Sequence, residues 1–270
     1  MRFIQSIFFA LALCLCLPLL AQSTDRQVVT GMVLKNDKAK FDSKTFLAAL
    51  KTDWKVPTDS VSEKDGTLVF ISGNAVVMLA NMDYAVPTVD LAAPAGISWL
   101  WKNAETEALR NQSHLVISVI GNAGQATHLH KLFTKITACA LANSNASGVF
   151  MNSQYLLIPK GYYIEAARNM TDAELPIYLW VYFGLLQDKG TSSGYTYGLA
   201  EFGLPEIEVV ETTMPVQEAH AFLYDVTHEV ILYNRRLKDG DKVSGSENQQ
   251  VTVHLSPAKF LEGTTVKLTY

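Results

Sequence analysis

Cysteine is scarce in this chain of 270 residues: there are three, and Cys14 and Cys16 both fall in the first two dozen positions. With that segment set aside only Cys139 remains, so an intrachain disulfide is excluded and burial must hold the fold. Cys139 lies in the apolar run ITACALA and reads as a small buried hydrophobe rather than a reactive thiol. Charge is sparse as well, at 18% of residues, and the net of −4 is spread without long runs of either sign. That argues against a nucleic-acid partner. No stretch rich in proline, glycine or serine divides the chain into domains, and no residue-level repeat is visible.

What the N-terminus does have is a positive start at Met1-Arg2, an unbroken apolar run from Ile7 to Leu17, and then Pro18 followed by LLAQS. This is the pattern of a secretory signal peptide over residues 1–21, cleaved after Ala21 or, as an A-x-S site, after Ser23. A membrane anchor needs about 20 apolar residues, and the run from Ile7 to Ala21 is shorter and holds a proline. A lipoprotein box at Leu11 to Cys14 is disfavoured by the bulk of Leu13. The mature protein is thus expected in the periplasm or outside the cell, without a stable membrane anchor. Losing Arg2 takes Lys plus Arg from 22 to 21 against 26 Asp plus Glu, a formal charge of −5. A short N-terminal segment, 22–30, then precedes one domain over 31–270.

Periodicity predicts the elements of that domain. Val28 to Lys35 suits a strand, and Asp42-Ser43 opens a helix with Phe46, Leu47, Leu50 and Trp54 at helical spacing. Pro57 to Gly66 reads as a loop; TLVFISG and AVVMLANM are strands joined by the Gly73-Asn74 hairpin signal. Pro87 and Pro94 mark a loop before a helix over SWLWKNAETEALR, and His114 to Gly121 is a strand. The order β-α-β-β-α-β is that of the ferredoxin-like motif. The second half repeats the alternation loosely: a helix over ATHLHKLFTKITACALAN, a strand over SGVFMNSQYLLI and a short helix over KGYYIEAARNM. Strands IYLWVYFGLL, YTYGLAEF and EIEVVE follow, then helix VQEAHAFLYDVTHEVILYN and the pair QQVTVHL and TVKLTY. The predicted class is α+β: mainly antiparallel sheets with helices on one face, a ferredoxin-like first half and a related second half.

The segment PIYLWVYFGLLQDKGTSSGYTYGLAEFGLPEIEVVE, Pro176 to Glu211, is similar to the signature region of a bacterial family of unknown function, domain of unknown function 4261. SWLW at 98–101, the GVF strand and LKDGDKVSGSE at 237–247, ahead of His254 and Ser256, carry the same likeness, which extends over about 31–270. The resemblance implies an architecture and no catalytic residue or cofactor. Many relatives look like plain cytoplasmic proteins, so the signal peptide is a departure here.

Gly190-Thr191-Ser192-Ser193-Gly194 matches the G-x-S-x-G pattern of serine hydrolases, with His220, Asp225, His228 and His254 downstream as partners for Ser192. A nucleophile elbow needs a helix after the serine, whereas YTYGLAEF alternates as a strand. A hairpin connection explains the glycines better. His128 and His130 at i, i+2 diverge on a helix, His220 and His228 are eight apart, and Asp239-Gly240-Asp241 lacks the later ligands of a calcium loop. Neither a metal nor another cofactor is implied, and Gly121-Asn122-Ala123-Gly124 lacks the lysine and third glycine of phosphate loops.

Aromatic residues are the remaining candidates: Trp99, Trp101, Tyr178, Trp180, Tyr182, Tyr195 and Tyr197. On a strand from Ile177 to Leu186 both faces are apolar, as expected of a covered central strand. Tyr195 and Tyr197, beside the glycine-rich loop, are the binding candidates, since rings with polar tips suit a cleft or partner surface. An exported non-enzymatic binding or interaction module, its partner another protein, is the favoured expectation; a serine hydrolase using Ser192 is the alternative.

Overall fold

A computed structural model describes residues 26–245 and 250–269. The expected signal peptide and its cleavage site lie outside the described residues, as do Ser246 and Glu247 of the LKDGDKVSGSE motif. Among the described residues no helix is long and apolar enough to cross a membrane. The described residues form two sheets and six α-helices, an α+β architecture with one parallel strand pair among otherwise antiparallel neighbours.

The first sheet runs β2-β3-β4-β5-β1-β6-β7. Its strands are β1 (Arg26–Lys35), β2 (Asp59–Lys64), β3 (Thr67–Ser72), β4 (Ala75–Met82), β5 (Ser113–Asn122), β6 (Ala146–Met151) and β7 (Leu156–Pro159). The Gly73-Asn74 hairpin forms as the sequence predicts, with Ser72 opposite Ala75. The stretch expected as a loop before Gly66 instead forms β2, an edge strand exposed along its whole length. Its six residues contribute backbone pairing and no core, which is why no hydrophobic pattern marks it. The succession matches the ferredoxin-like order with this strand added, but the interleaving does not. Strand β5 lies between β4 and β1, and the second neighbour of β1 is β6, a strand from the expected second half.

The second sheet runs β11-β12-β13-β10-β9-β8. It comprises β8 (Tyr182–Asp188), β9 (Thr191–Tyr197), β10 (Ile207–Thr212), β11 (Lys242–Ser244), β12 (Gln250–Pro257) and β13 (Thr264–Thr269). It is no copy of the first, because β10 and β13 pair in parallel and the sequence boundary between halves cuts through the first sheet.

Helices α1 (Ser43–Thr52), α4 (Ala126–Ala142) and α5 (Lys160–Asn169) join the first sheet in the main core, while α6 (Val216–Leu232) covers β8, β9 and β10. Asp42 caps α1 by accepting the Thr45 N–H at 3.0 Å. One apolar cluster takes in Val33 and Phe133 from the first layer and Trp180, Leu223 and Val266 from the second. The expectation of helices on one face needs correction. Leu34, Phe150 and Leu157 point out of the other face and are covered by α2 (Thr88–Gly96) through Leu91, by α3 (Ala104–Glu107) through Ala104, and by Trp101 of the segment between them. Farther along the same sheet, Val28, Ile71 and Met78 are exposed at 49%, 39% and 37%.

Two helix expectations also shift. Pro87 starts α2 and Pro94 lies inside it, whereas Ser98 to Asn103 is irregular. That stretch is fixed by tertiary anchors: Ser98 Oγ donates to Leu157 O at 2.9 Å and buried Trp101 donates through Nε1 to Glu107 at 2.7 Å. The single strand read over SGVFMNSQYLLI is two, turning through Asn152–Gln154 with Tyr155 at φ 54°.

Candidate functional site

The strand expected from Ile177 does not begin until Tyr182. Ile177–Leu179 is a 3₁₀ turn whose Ile177 carbonyl accepts from both Trp180 and Val181 N–H groups. Trp180 leaves the surface there, fully buried, and donates through Nε1 to Thr134 Oγ1 at 2.9 Å. Tyr178 therefore does not share a strand face with Trp180 and Tyr182; it stays half-buried on the outside of the turn.

Around Tyr178 the structure gathers an aromatic group from three elements. Helix α6 presents His220, Tyr224 and His228, four residues apart and so stacked along one stripe of the helix. The Tyr178 ring lies 4.7 Å from that of Tyr224 and 5.0 Å from that of Trp99, and its hydroxyl is 3.4 Å from His220 Nε2. Trp99 lies edge-on to His220 at 5.7 Å and is 48% exposed. Helix α5 closes the other side with Tyr162 and Ala166, one turn apart. Between these walls is an open cleft of about 270 Å³ lined by Tyr162, Tyr178, Tyr224, Met170 and Glu174.

The wall from 170 to 179 is pinned. Thr171 Oγ1 accepts the Ala173 and Glu174 N–H groups at 3.2 and 2.9 Å, and the Leu175 N–H donates to His228 Nε2 at 3.2 Å. That last bond makes Nε2 of His228 an acceptor, so its proton is on Nδ1. Burial raises the phenols of Tyr162, Tyr178 and Tyr224, that of Tyr178 to about 12, with further increments from neighbouring tyrosines and carboxylates. Burial also lowers His220 below the ordinary histidine range. Near neutral pH the cleft thus offers uncharged phenols, with the His220 imidazole set against Tyr178 and Glu174 at the edge. Such a group presents ring faces and phenol hydroxyls to the cleft.

The sequence candidates fall elsewhere. Tyr195 sits in β9 on the face away from α6, stacked on Phe260 at 5.6 Å and lying over Gly184, where an added Cβ would come within 2.1 Å of its Cζ. Tyr197 meets Tyr155 edge-on at 5.9 Å. Both pack on the outer side of the second sheet, apart from the cleft. Ser192 is inside β9, opposite Gln187, and 2% exposed. The turn between β8 and β9 is Lys189-Gly190, so the serine precedes neither a helix nor a loop tip. Among the described residues no histidine or carboxylate hydrogen-bonds to Ser192, and His220 is engaged with Tyr178 instead.

Among the described residues no cluster of three or more metal-ligating side chains is present. His128 is exposed while His130 is buried, as their i, i+2 spacing requires. Cys139 is buried, its thiol pushed up to about 12 chiefly by desolvation. A second cavity of about 370 Å³ near α1 and β3 holds Glu63, Asp65, Asp83 and Asn81. Behind it Lys35 is 2% exposed and donates to Ala39 O and to Asn81 Oδ1 at 3.1 Å.

The cleft was missed in the sequence because Tyr162, Tyr178 and Tyr224 are far apart in the chain. One signal was present: His220, Tyr224 and His228 at i, i+4, i+8 form an aromatic stripe that metal-ligand spacing rules pass over.

Residues 195–269 match the family described as domain of unknown function (DUF4261). The match runs from the end of β9 through β13 with α6, and so takes in His220, Tyr224 and His228 but not Tyr162, Tyr178 or Trp99. No curated protein and no solved structure shows significant similarity to the chain.

Proposed function

We propose that this protein is an exported, non-enzymatic binding module that takes a ligand group into the cleft between α5 and α6. The observation that carries this reading is the convergence of Tyr162, Tyr178 and Tyr224 on one pinned, open cleft, with Trp99 set edge-on against the Tyr178 ring outside its lining. Aromatic side chains with polar tips offer large contact area at low entropic cost, which is why they dominate recognition sites. Trp99 is the supporting detail: a large ring left 48% exposed beside the cleft has desolvation still to gain.

Export rests on the positive start and apolar run of residues 1–17. N-terminal sequencing of protein recovered outside the cytoplasm should begin at Gln22, or at Thr24 if cleavage follows Ser23; an intact Met1 would refute it. The binding reading is tested by ligand-observed NMR with a library of small aromatic, amine and carboxylate compounds. Hits should lose about tenfold or more in affinity with folded Tyr178→Leu or Tyr224→Leu protein and keep it with Tyr197→Leu. Hits that ignore both cleft substitutions would overturn the site.

A further inference from the structure

The ligand class can be narrowed by the charges around the cleft. We propose that the group it takes is a small organic ammonium cation, seated against the ring faces of Tyr178 and Tyr224 with Glu174 at the rim; this rests on the cleft being a binding site.

Three observations carry it. First, among the described residues no lysine or arginine lines the cleft, while Glu174 does. The other charges that reach its tyrosines are acidic too: Asp225 acts on Tyr178 and Tyr224, Glu165 on Tyr162. Among the lining residues an anion would meet only like charge. Second, the histidines beside the cleft are already engaged by their surroundings. Burial disfavours the charged form of His220, and His228 uses its Nε2 lone pair to accept the Leu175 N–H. Third, ring faces carry the negative side of the aromatic quadrupole and attract cations, most of all ammonium groups that shed their water easily. The cleft volume of about 270 Å³ lies just below the range of sites for drug-sized ligands, so it suits a single head group. A free quaternary ammonium compound of choline size fits both the volume and the charge.

The test compares choline with 3,3-dimethylbutan-1-ol, which has the same shape with carbon in place of the charged nitrogen, by titrating the tyrosine ring signals of the mature wild-type protein. Choline should bind about tenfold tighter, the increment expected of a partly desolvated cation on an aromatic face. Glu174→Gln should weaken choline about threefold and leave the neutral analogue unchanged, and Tyr224→Phe, which keeps the ring, should retain choline where Tyr224→Leu loses it. Equal affinity for choline and the alcohol would overturn the cation and leave the cleft standing as a neutral site. If neither compound shifts a cleft tyrosine, the cation inference fails. Library hits dependent on Tyr178 and Tyr224 would still uphold the cleft, and their absence would remove both.

Discussion

His130 shows what a single residue costs this fold. It is fully buried, stacked 4.2 Å from Phe202, and its Nδ1–H donates to Ala126 O at 2.9 Å, leaving Nε2 without a partner. Burial pulls its pKa from 6.5 down to about 4. The unfolded chain therefore takes up a proton that the folded chain refuses as pH falls from 6.5 towards 4, and stability drops through that window. The full penalty is about 3 kcal/mol. Urea unfolding of His130→Phe against wild type at pH 7 and pH 4.5 should show the variant losing less on acidification; equal losses would mean the imidazole is not the titrating group. At this scale the sequence was informative about environment, since ITACALA placed Cys139 in the core, where it lies. It was silent on Tyr162 and Tyr224, because a tyrosine on an amphipathic helix reads the same whether it faces solvent or a cleft.

At the scale of elements, the β8–β9 hairpin absorbs the G-x-S-x-G motif. Lys189 and Gly190 both have positive φ, 44° and 88°, as a two-residue primed turn requires. Asparagine tolerates that conformation better than lysine, so Lys189→Asn should raise stability by about 0.5 kcal/mol in thermal unfolding. Gly184 is required for a different reason, the Tyr195 ring pressed on its Cα. Gly184→Ala should cost about 1–3 kcal/mol by overpacking, and Gly184→Ala with Tyr195→Leu should recover most of it; failure to recover would place the strain in the backbone. A fluorophosphonate probe should leave the folded protein unlabelled, since Ser192 is buried in a strand. Strong periodic elements such as α4 and α6 were legible in sequence. The 177–186 strand was overextended because alternation of apolar residues continues through a 3₁₀ turn whose direction is set by the Trp180 anchor, a contact 46 residues away.

At the scale of the whole molecule, the periodicity and order of the elements were enough to indicate an α+β fold and composition that burial holds it, while the strand order was not legible, because β1 chooses its neighbours by long-range fit. The cluster that joins Val33, Phe133, Trp180, Leu223 and Val266 couples both sheets, so tryptophan fluorescence and far-UV circular dichroism should report one coincident urea transition. Two separated transitions would divide the layers into independent units. The cleft lies where this coupling is exposed, between α5, which packs in the first layer, and α6, which covers the second sheet. Its role is tested most directly by the tyrosine ring ¹H–¹³C spectrum of the protein recorded against the compound library. Compounds that bind are expected to move Tyr162, Tyr178 and Tyr224 together, and shifts confined to Tyr195 and Tyr197 would contradict the cleft as the site.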